Sequence, residues 1–167
     1  MSDCHLAVVS HATESDVPFL WELLSAAARD AGLGPLTPSL AEDSPFGKYL
    51  AGWGRPGDAG VVAFDQVGQR LGAAWYRLFA QAQPGYGFVG ADVPELSIRV
   101  LEKARGNGIG DALLVALEQL ARQQGYRALS LSVKRANPAR HLYTRRGFRD
   151  AQRSAPTDDS LTMLKSL

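Results

Sequence analysis

The chain has 167 residues, 18 lysines and arginines against 17 aspartates and glutamates, and a formal net charge of +1 at pH 7. That length suits one domain able to close a hydrophobic core, and the near balance of charge gives no global pull toward nucleic acid or anionic lipid. Cys4 is the only cysteine, which excludes an intramolecular disulfide and a cysteine-based metal cluster.

The N-terminus, "MSDCHLAVVSHATESD", lacks a basic region followed by an apolar core. Nowhere do about 18 apolar residues run together, so neither export nor a membrane span is expected, and the chain reads as soluble and cytoplasmic. "LAVVS" (Leu6 to Ser10) is a short apolar run suited to a strand. "TESDVPFLWELLSAAARDAG" predicts a helix that Ser15 or Asp16 caps, with Pro18 in its first turn. Phe19, Leu20, Leu23, Leu24 and Ala27 form its apolar stripe before Gly32. From Gly34 to Gly60 the chain turns irregular, carrying Pro35, Pro38, Pro45 and Pro56, and only "FGKYLAGW" suits a short helix. Such a segment is either a plain surface connection or a place where specificity is written.

"VVAFD" and "LGAAWYRLFA" flank "QVGQR" as a β-hairpin, because both runs are β-branched or aromatic around a glycine turn. A glycine-rich loop, "QPGYGFVGADVP", leads into "ELSIRVL", where Leu96, Ile98 and Val100 alternate with Glu95, Ser97 and Arg99 as a strand. After "EKARGNG", Ala112, Leu113, Ala116, Leu117 and Leu120 recur at helical spacing until Gly125, a C′ residue. "ALSLSV" is another strand, "NPARHLYTRRG" a short helix and "SLTMLKSL" a closing strand. The order β, α, irregular, β, β, β, α, β, α, β points to an α/β fold of the α+β type. Its mixed sheet is mostly antiparallel with helices on both faces, in a single domain over residues 1–167.

Glycine costs a helix roughly 1 kcal/mol relative to alanine, so Gly106, Gly108 and Gly110 at a helix entrance need a reason. A strand that delivers glycines to a helix N-terminus makes an anion cradle, because the first N–H groups have no internal partner and carry the helix's partial positive charge. The Walker loop fails here because Asp111 follows Gly110, and the dinucleotide fingerprint fails for want of a glycine at 111. What remains is Arg105-Gly106-Asn107-Gly108-Ile109-Gly110, of the form Arg/Gln-x-x-Gly-x-Gly/Ala.

With this motif the sequence resembles the GNAT superfamily of coenzyme A-dependent N-acyltransferases. "ELSIRVLEKARGNGIGDALL" is similar to that family's fourth strand, pyrophosphate loop and third helix, and "NPARHLYTRRGF" to its Asn-x-x-Ala/Arg-x-x-Leu-Tyr-x-x-x-Gly-Phe segment. "ATESDVPFLWELL" and "SLTMLKSL" extend the likeness toward both ends; it is weakest from Gly34 to Gly60. Glu102 and Ala104 stand where the family commonly has a proline and an aromatic.

The resemblance implies acetyl-coenzyme A as cosubstrate, with its pyrophosphate on the N–H groups of Gly106, Asn107, Gly108, Ile109, Gly110 and Asp111 and with Arg105 nearby. It implies a splayed central strand pair whose open backbone at Ile98, Arg99 and Val100 receives the pantetheine arm. Glu95 is then the candidate base, directly or through a water, although a carboxylate at a strand start also reads as a solvated group. Tyr143 matches the family's general acid, and otherwise reads as a ring packed on the sheet. Asn137 reads both as a helix cap, with Pro138 at N1, and as a pantetheine contact.

The run from Lys134 to Arg153, with Arg135, Arg140, Arg145, Arg146 and Arg149, reads as a rim for a 3′-phosphate or as a solvated basic face. His5, His11 and His141 show no metal-ligand spacing, so no metal is expected. Asp43, Asp58 and Asp92 are carboxylates that a cationic amine would seek, on residue type alone. The expected activity is acetyl transfer to a primary amine of a small molecule or peptide by direct attack in a ternary complex, with no nucleic acid or membrane partner and with a homodimer allowed. The alternative is a catalytically silent acyl-coenzyme A-binding regulatory module.

Overall fold

The computed structural model describes residues 7–34, 36 and 44–167; Cys4, His5, Pro35, Pro38, Asp43 and the start of "LAVVS" lie outside them. Seven strands form one sheet: β1 (Val8–His11), β2 (Ala59–Phe64), β3 (Arg70–Arg77), β4 (Glu95–Val100), β5 (Ala128–Lys134), β6 (Arg149–Asp150) and β7 (Ser160–Ser166). Their order is β1-β2-β3-β4-β5-β7-β6, and only β4 and β5 run parallel to each other. Among the described residues three α-helices cover the sheet: α1 (Val17–Asp30), α2 (Ile109–Gln123) and α3 (Ala139–Arg145).

Period-two alternation along the β2–β3 hairpin sends its side chains to two layers. Val61, Ala63, Ala74 and Tyr76 pack beneath Leu113, Leu114 and Leu117 of α2, on the face that also receives Tyr143 of α3. Val62, Ala73 and Trp75 take the opposite face, beneath Leu20, Leu23 and Leu24 of α1. Each fully buried leucine of these stripes contributes roughly 2 kcal/mol. Helices therefore lie on both faces, as the patterning predicted. On α1 the stripe differs slightly, since Trp21 and Ala28 are buried where Ala27 is only half-buried.

The entrance to α1 departs from the expected cap. A 3₁₀ turn over Glu14–Asp16 comes first, capped by Thr13, and Asp16 then stands at the α1 N-cap without capping it. Its carboxylate turns back to Thr13 N–H at 2.8 Å and out to Arg70 Nε of β3 at 2.9 Å, and those partners outcompete the helix amides. Gly125 closes α2 as expected: its N–H reaches Arg122 O, and Tyr126 N–H reaches Ala121 O, each at 3.0 Å. The two-residue β6 is absent from the sequence reading because so short a segment carries no period.

The feature that positions the site is the β4–β5 junction. β3 and β4 pair from Gly72↔Val100 to Arg77↔Glu95, and β5 and β7 pair along their whole length. Between β4 and β5 the register holds one pair, Glu95↔Ser130, next to a Ser130 N–H to Pro94 O bond of 3.0 Å. Beyond it the strands part, so β4 from Ser97 onward has one paired edge and one open edge.

Candidate active site

The glycine segment becomes the N-terminus of α2. Gly106 has φ +80° and Gly108, the α2 N-cap, φ +76°, both in the left-handed region that side chains resist. Among the described residues nothing lies within 4 Å of where their Cβ atoms would stand, so backbone conformation and not crowding demands glycine there. The first N–H groups of this 15-residue helix, at Ile109, Gly110 and Asp111, have no hydrogen-bond partner among the described residues, the ladder beginning with Ala112 N–H to Gly108 O at 3.1 Å. Asn107 turns its side chain inward, Nδ2 donating to Ala104 O at 3.1 Å, and Ile109 is buried beneath the turn. Gly110 serves packing: a Cβ there would meet Leu142 of α3 at 3.1 Å. Arg105 reaches Val100 O with Nε at 3.3 Å, and Asp111 lies 3.7 Å from Arg146 Nε. A glycine turn that leaves a run of unpartnered helix N–H groups fits a diphosphate.

The gap between β4 and β5 opens into a cavity of about 460 Å³. Glu95, Ser97, Ile98 and Arg99 line it from β4, Leu131 to Lys134 from β5, Asn137 from the approach to α3 and Tyr143 from α3 itself. Phe46, Tyr49 and Tyr86 line it as well. The sequence-predicted base, acid and open strand edge thus share one enclosure. Val100 lies just beyond it, level with the glycine turn.

Glu95 is not a solvated carboxylate; it is 2% exposed. Its Oε1 accepts from Tyr49 Oη at 2.7 Å and from Gly87 N–H at 2.9 Å, while Oε2 is buried and finds no partner among the described residues. Burial pushes the carboxyl above the ordinary carboxylate range, opposed by those two hydrogen bonds and by the charge of Lys48. Burial, and then the negative charge of Glu95, push the Tyr49 phenol upward, so it remains a donor.

Tyr143 is 7% exposed, its ring edge-on to Phe148 at 6.1 Å between centroids. Burial pushes its hydroxyl up to about 12. Asn137 accepts from Ala139 N–H with Oδ1 at 2.9 Å and also lines the cavity, so both of its readings coexist. The Arg99 side chain bridges to Asp30 at the end of α1, Nη2 to Oδ2 at 2.6 Å, bracing the open strand against the helix.

Three of the seven basic residues of the run bind backbone carbonyls. Arg135 donates to Asp158 O and Ala155 O, Arg140 to Arg135 O, and Arg149 to Thr144 O and Phe148 O. His141 is exposed on α3. Asp58 is unavailable to an amine because it is buried in an ion pair with Arg77. Among the described residues no three His, Cys, Asp or Glu side chains gather as a metal site, and no helix is long and apolar enough to cross a membrane.

Sequence reasoning missed Tyr49 and the loop over Glu95. Tyr49 sits in a 3₁₀ turn, Gly47–Tyr49, inside "FGKYLAGW". Its partner lies 46 positions away. A signal existed in "GAAWYRLFA", where Arg77 interrupts an apolar strand; a charge placed so has to find a buried partner.

A model described as the acetyltransferase (GNAT) family matches residues 19–148. The L-methionine sulfoximine/L-methionine sulfone acetyltransferases of Pseudomonas paraeruginosa and Pseudomonas aeruginosa are each 32% identical over 144 residues, 75% of this chain and 81% of theirs. Among solved structures, the ribosomal-protein-alanine N-acetyltransferase of Brucella melitensis superposes with a TM-score of 0.72 at 27% identity, covering 96% of this chain and 99% of that one. A GCN5-related N-acetyltransferase of Kribbella flavida gives 0.66 at 27% identity, covering 96% and 98%.

Proposed function

The chain belongs to the GNAT acetyltransferase family, and from that premise we propose that its 167 residues work as one cytoplasmic domain that acetylates the primary amine of a small acceptor. Both substrates are held together and the amine attacks directly. The observation that carries this reading is the single cavity joining Glu95, Tyr143 and the open edge of β4.

Acetyl-coenzyme A supplies an acetyl group already activated as a thioester. The amides from Gly106 to Asp111 hold its diphosphate, and the free backbone groups between Ile98 and Val100 hold its arm as an added strand would. A β4 amide facing the gap polarises the acyl carbonyl. An acceptor amine is mostly ammonium at neutral pH, so it has to lose a proton before attack. Glu95 takes that proton, directly or through one water, and the upward push from burial brings its basicity closer to the task. As the new C–N bond forms and the C–S bond breaks, Tyr143 returns a proton to the departing sulfur.

The acceptor we propose is a small amino acid carrying its own carboxylate. Two observations support this: the named substrates of the Pseudomonas relatives, and the acceptor end itself. There Phe46, Tyr49 and Tyr86 line the cavity, and the Lys48 cation lies 4.5 Å over the Tyr86 ring. A second cation on the acceptor is disfavoured beside it.

The test is release of free thiol from acetyl-coenzyme A with a panel of amines that includes L-methionine sulfoximine, amino acids, their carboxamides and polyamines. Release with the free amino acids and not with the amides or polyamines is expected. Tight binding of the cosubstrate without release under any acceptor would overturn the enzymatic reading.

A further inference from the structure

Tyr49 is held more tightly than an aromatic wall requires. Its carbonyl accepts from Trp75 Nε1 at 3.2 Å, its ring meets Phe79 edge-on at 5.2 Å, and it lies nearly parallel to Tyr86 at 6.4 Å. Its hydroxyl does two things at once. It donates to Glu95 Oε1 at 2.7 Å and accepts from Tyr86 N–H at 2.8 Å. The next amide down the chain, Gly87 N–H, donates to that same Oε1 at 2.9 Å. The loop from Pro84 to Phe88 is therefore fastened to the carboxylate on both sides of one oxygen.

The loop also fits so closely that side chains are excluded. A Cβ on Gly85 would overlap Glu95 Oε2, and one on Gly87 would stand 2.5 Å from the Leu131 carbonyl carbon on β5. Glu95 consequently has two unlike oxygens. Oε1 is saturated by two donors, and Oε2 is buried with free lone pairs.

We propose that Tyr49 is a positioning residue for proton removal from the acceptor: by binding Glu95 Oε1 and Tyr86 N–H together it fixes the carboxylate's rotamer and seats the covering loop. The inference rests on Glu95 being the base proposed above. The charged and titratable groups around Glu95 are Lys48 and Tyr49 from the irregular segment, Tyr86 from the loop, Arg77 opposite it on β3 and Arg99 farther along β4; its β5 neighbour is Ser130. Arg77 is already paired with Asp58, which leaves Tyr49 as the side chain that directs the carboxylate.

The test compares wild type, Tyr49→Phe, Glu95→Gln and the double variant through the pH dependence of kcat/KM for the acceptor. Tyr49→Phe removes a bond that favours the ionised carboxylate, so the acidic limb should move up by about one pH unit and kcat/KM on that limb should fall about tenfold. The KM for acetyl-coenzyme A should not move. The double variant should be no worse than Glu95→Gln by more than about twofold, because Tyr49 acts through Glu95. Replacing Tyr49 with 3-fluorotyrosine keeps the ring and hydroxyl, so the fold is preserved; its stronger donation should move the limb down. A loss in Glu95→Gln with an unmoved limb in both Tyr49 variants would overturn the role of Tyr49 alone. Full activity in Glu95→Gln would remove the base, and Tyr49's role with it.

Discussion

Arg77 grips Asp58 through two parallel contacts, Nε to Oδ1 at 2.9 Å and Nη2 to Oδ2 at 2.8 Å, with both side chains at most 2% exposed. The third guanidinium nitrogen donates to Lys48 O at 2.9 Å and Ala51 O at 2.7 Å, one residue before and two after Tyr49. Asp58 Oδ2 in turn accepts from Gly54 and Arg55 N–H at 3.0 Å. One ion pair thus closes the irregular segment onto β3 and sets the aromatic end of the cavity.

Asp58→Ala leaves a buried guanidinium without its carboxylate, which costs about 3–5 kcal/mol. In a chain of this size the melting temperature should drop by about 10 °C. Because Tyr49 rides on the segment, KM for the acceptor should rise while affinity for acetyl-coenzyme A is kept. Thermal unfolding and steady-state kinetics check the two halves separately.

Tyr143→Phe should lower kcat about a hundredfold with acetyl-coenzyme A affinity unchanged by calorimetry. Burial holds the hydroxyl's pKa at about 12, so the group stays protonated from neutral pH to well above 9 and the loss should be the same at pH 7 and pH 9. Unchanged turnover removes Tyr143 from the proton relay.

Glu95 is a cost to folding at the pH where it works. Its folded pKa lies above the usual 4.5, so the folded state holds this proton more firmly than the unfolded chain does. The stabilisation is present in full below the unfolded value and is lost as pH rises through the folded one. The difference in melting temperature between Glu95→Gln and wild type should therefore shift in the variant's favour from about pH 4.5 upward. A difference that stays flat with pH would mean the buried carboxyl titrates as it does in water.

Gly108→Ala puts a side chain at φ +76° and should cost about 1–2 kcal/mol even though the space is open. The distorted turn should bind coenzyme A more weakly, with kcat at saturating cosubstrate nearly retained. Isothermal calorimetry showing wild-type affinity would count against the turn as the diphosphate cradle.

The elements with a period were legible because periodicity is local: the stripe of α2 and the alternation of β4 are written within their own residues. Spacing also placed Glu95 on a strand, Tyr143 on a helix and the glycine turn at a helix entrance, as the fold has them, while the roles given to them came from the family resemblance. Asp58 was misjudged, because a surface carboxylate and a buried one look alike in sequence.

The sequence by itself determined which backbone segments form and which chemical groups they carry. It did not determine what meets across the gap. Whether Glu95 is solvated or enclosed, which of its oxygens is free, and that Tyr49 reaches it from 46 positions away depend on loop closures that Arg77 and the close-lying glycines bring about. The physical reason is that burial and hydrogen-bond partnership belong to pairs distant along the chain, so they exist only once the sheet has brought those pairs together.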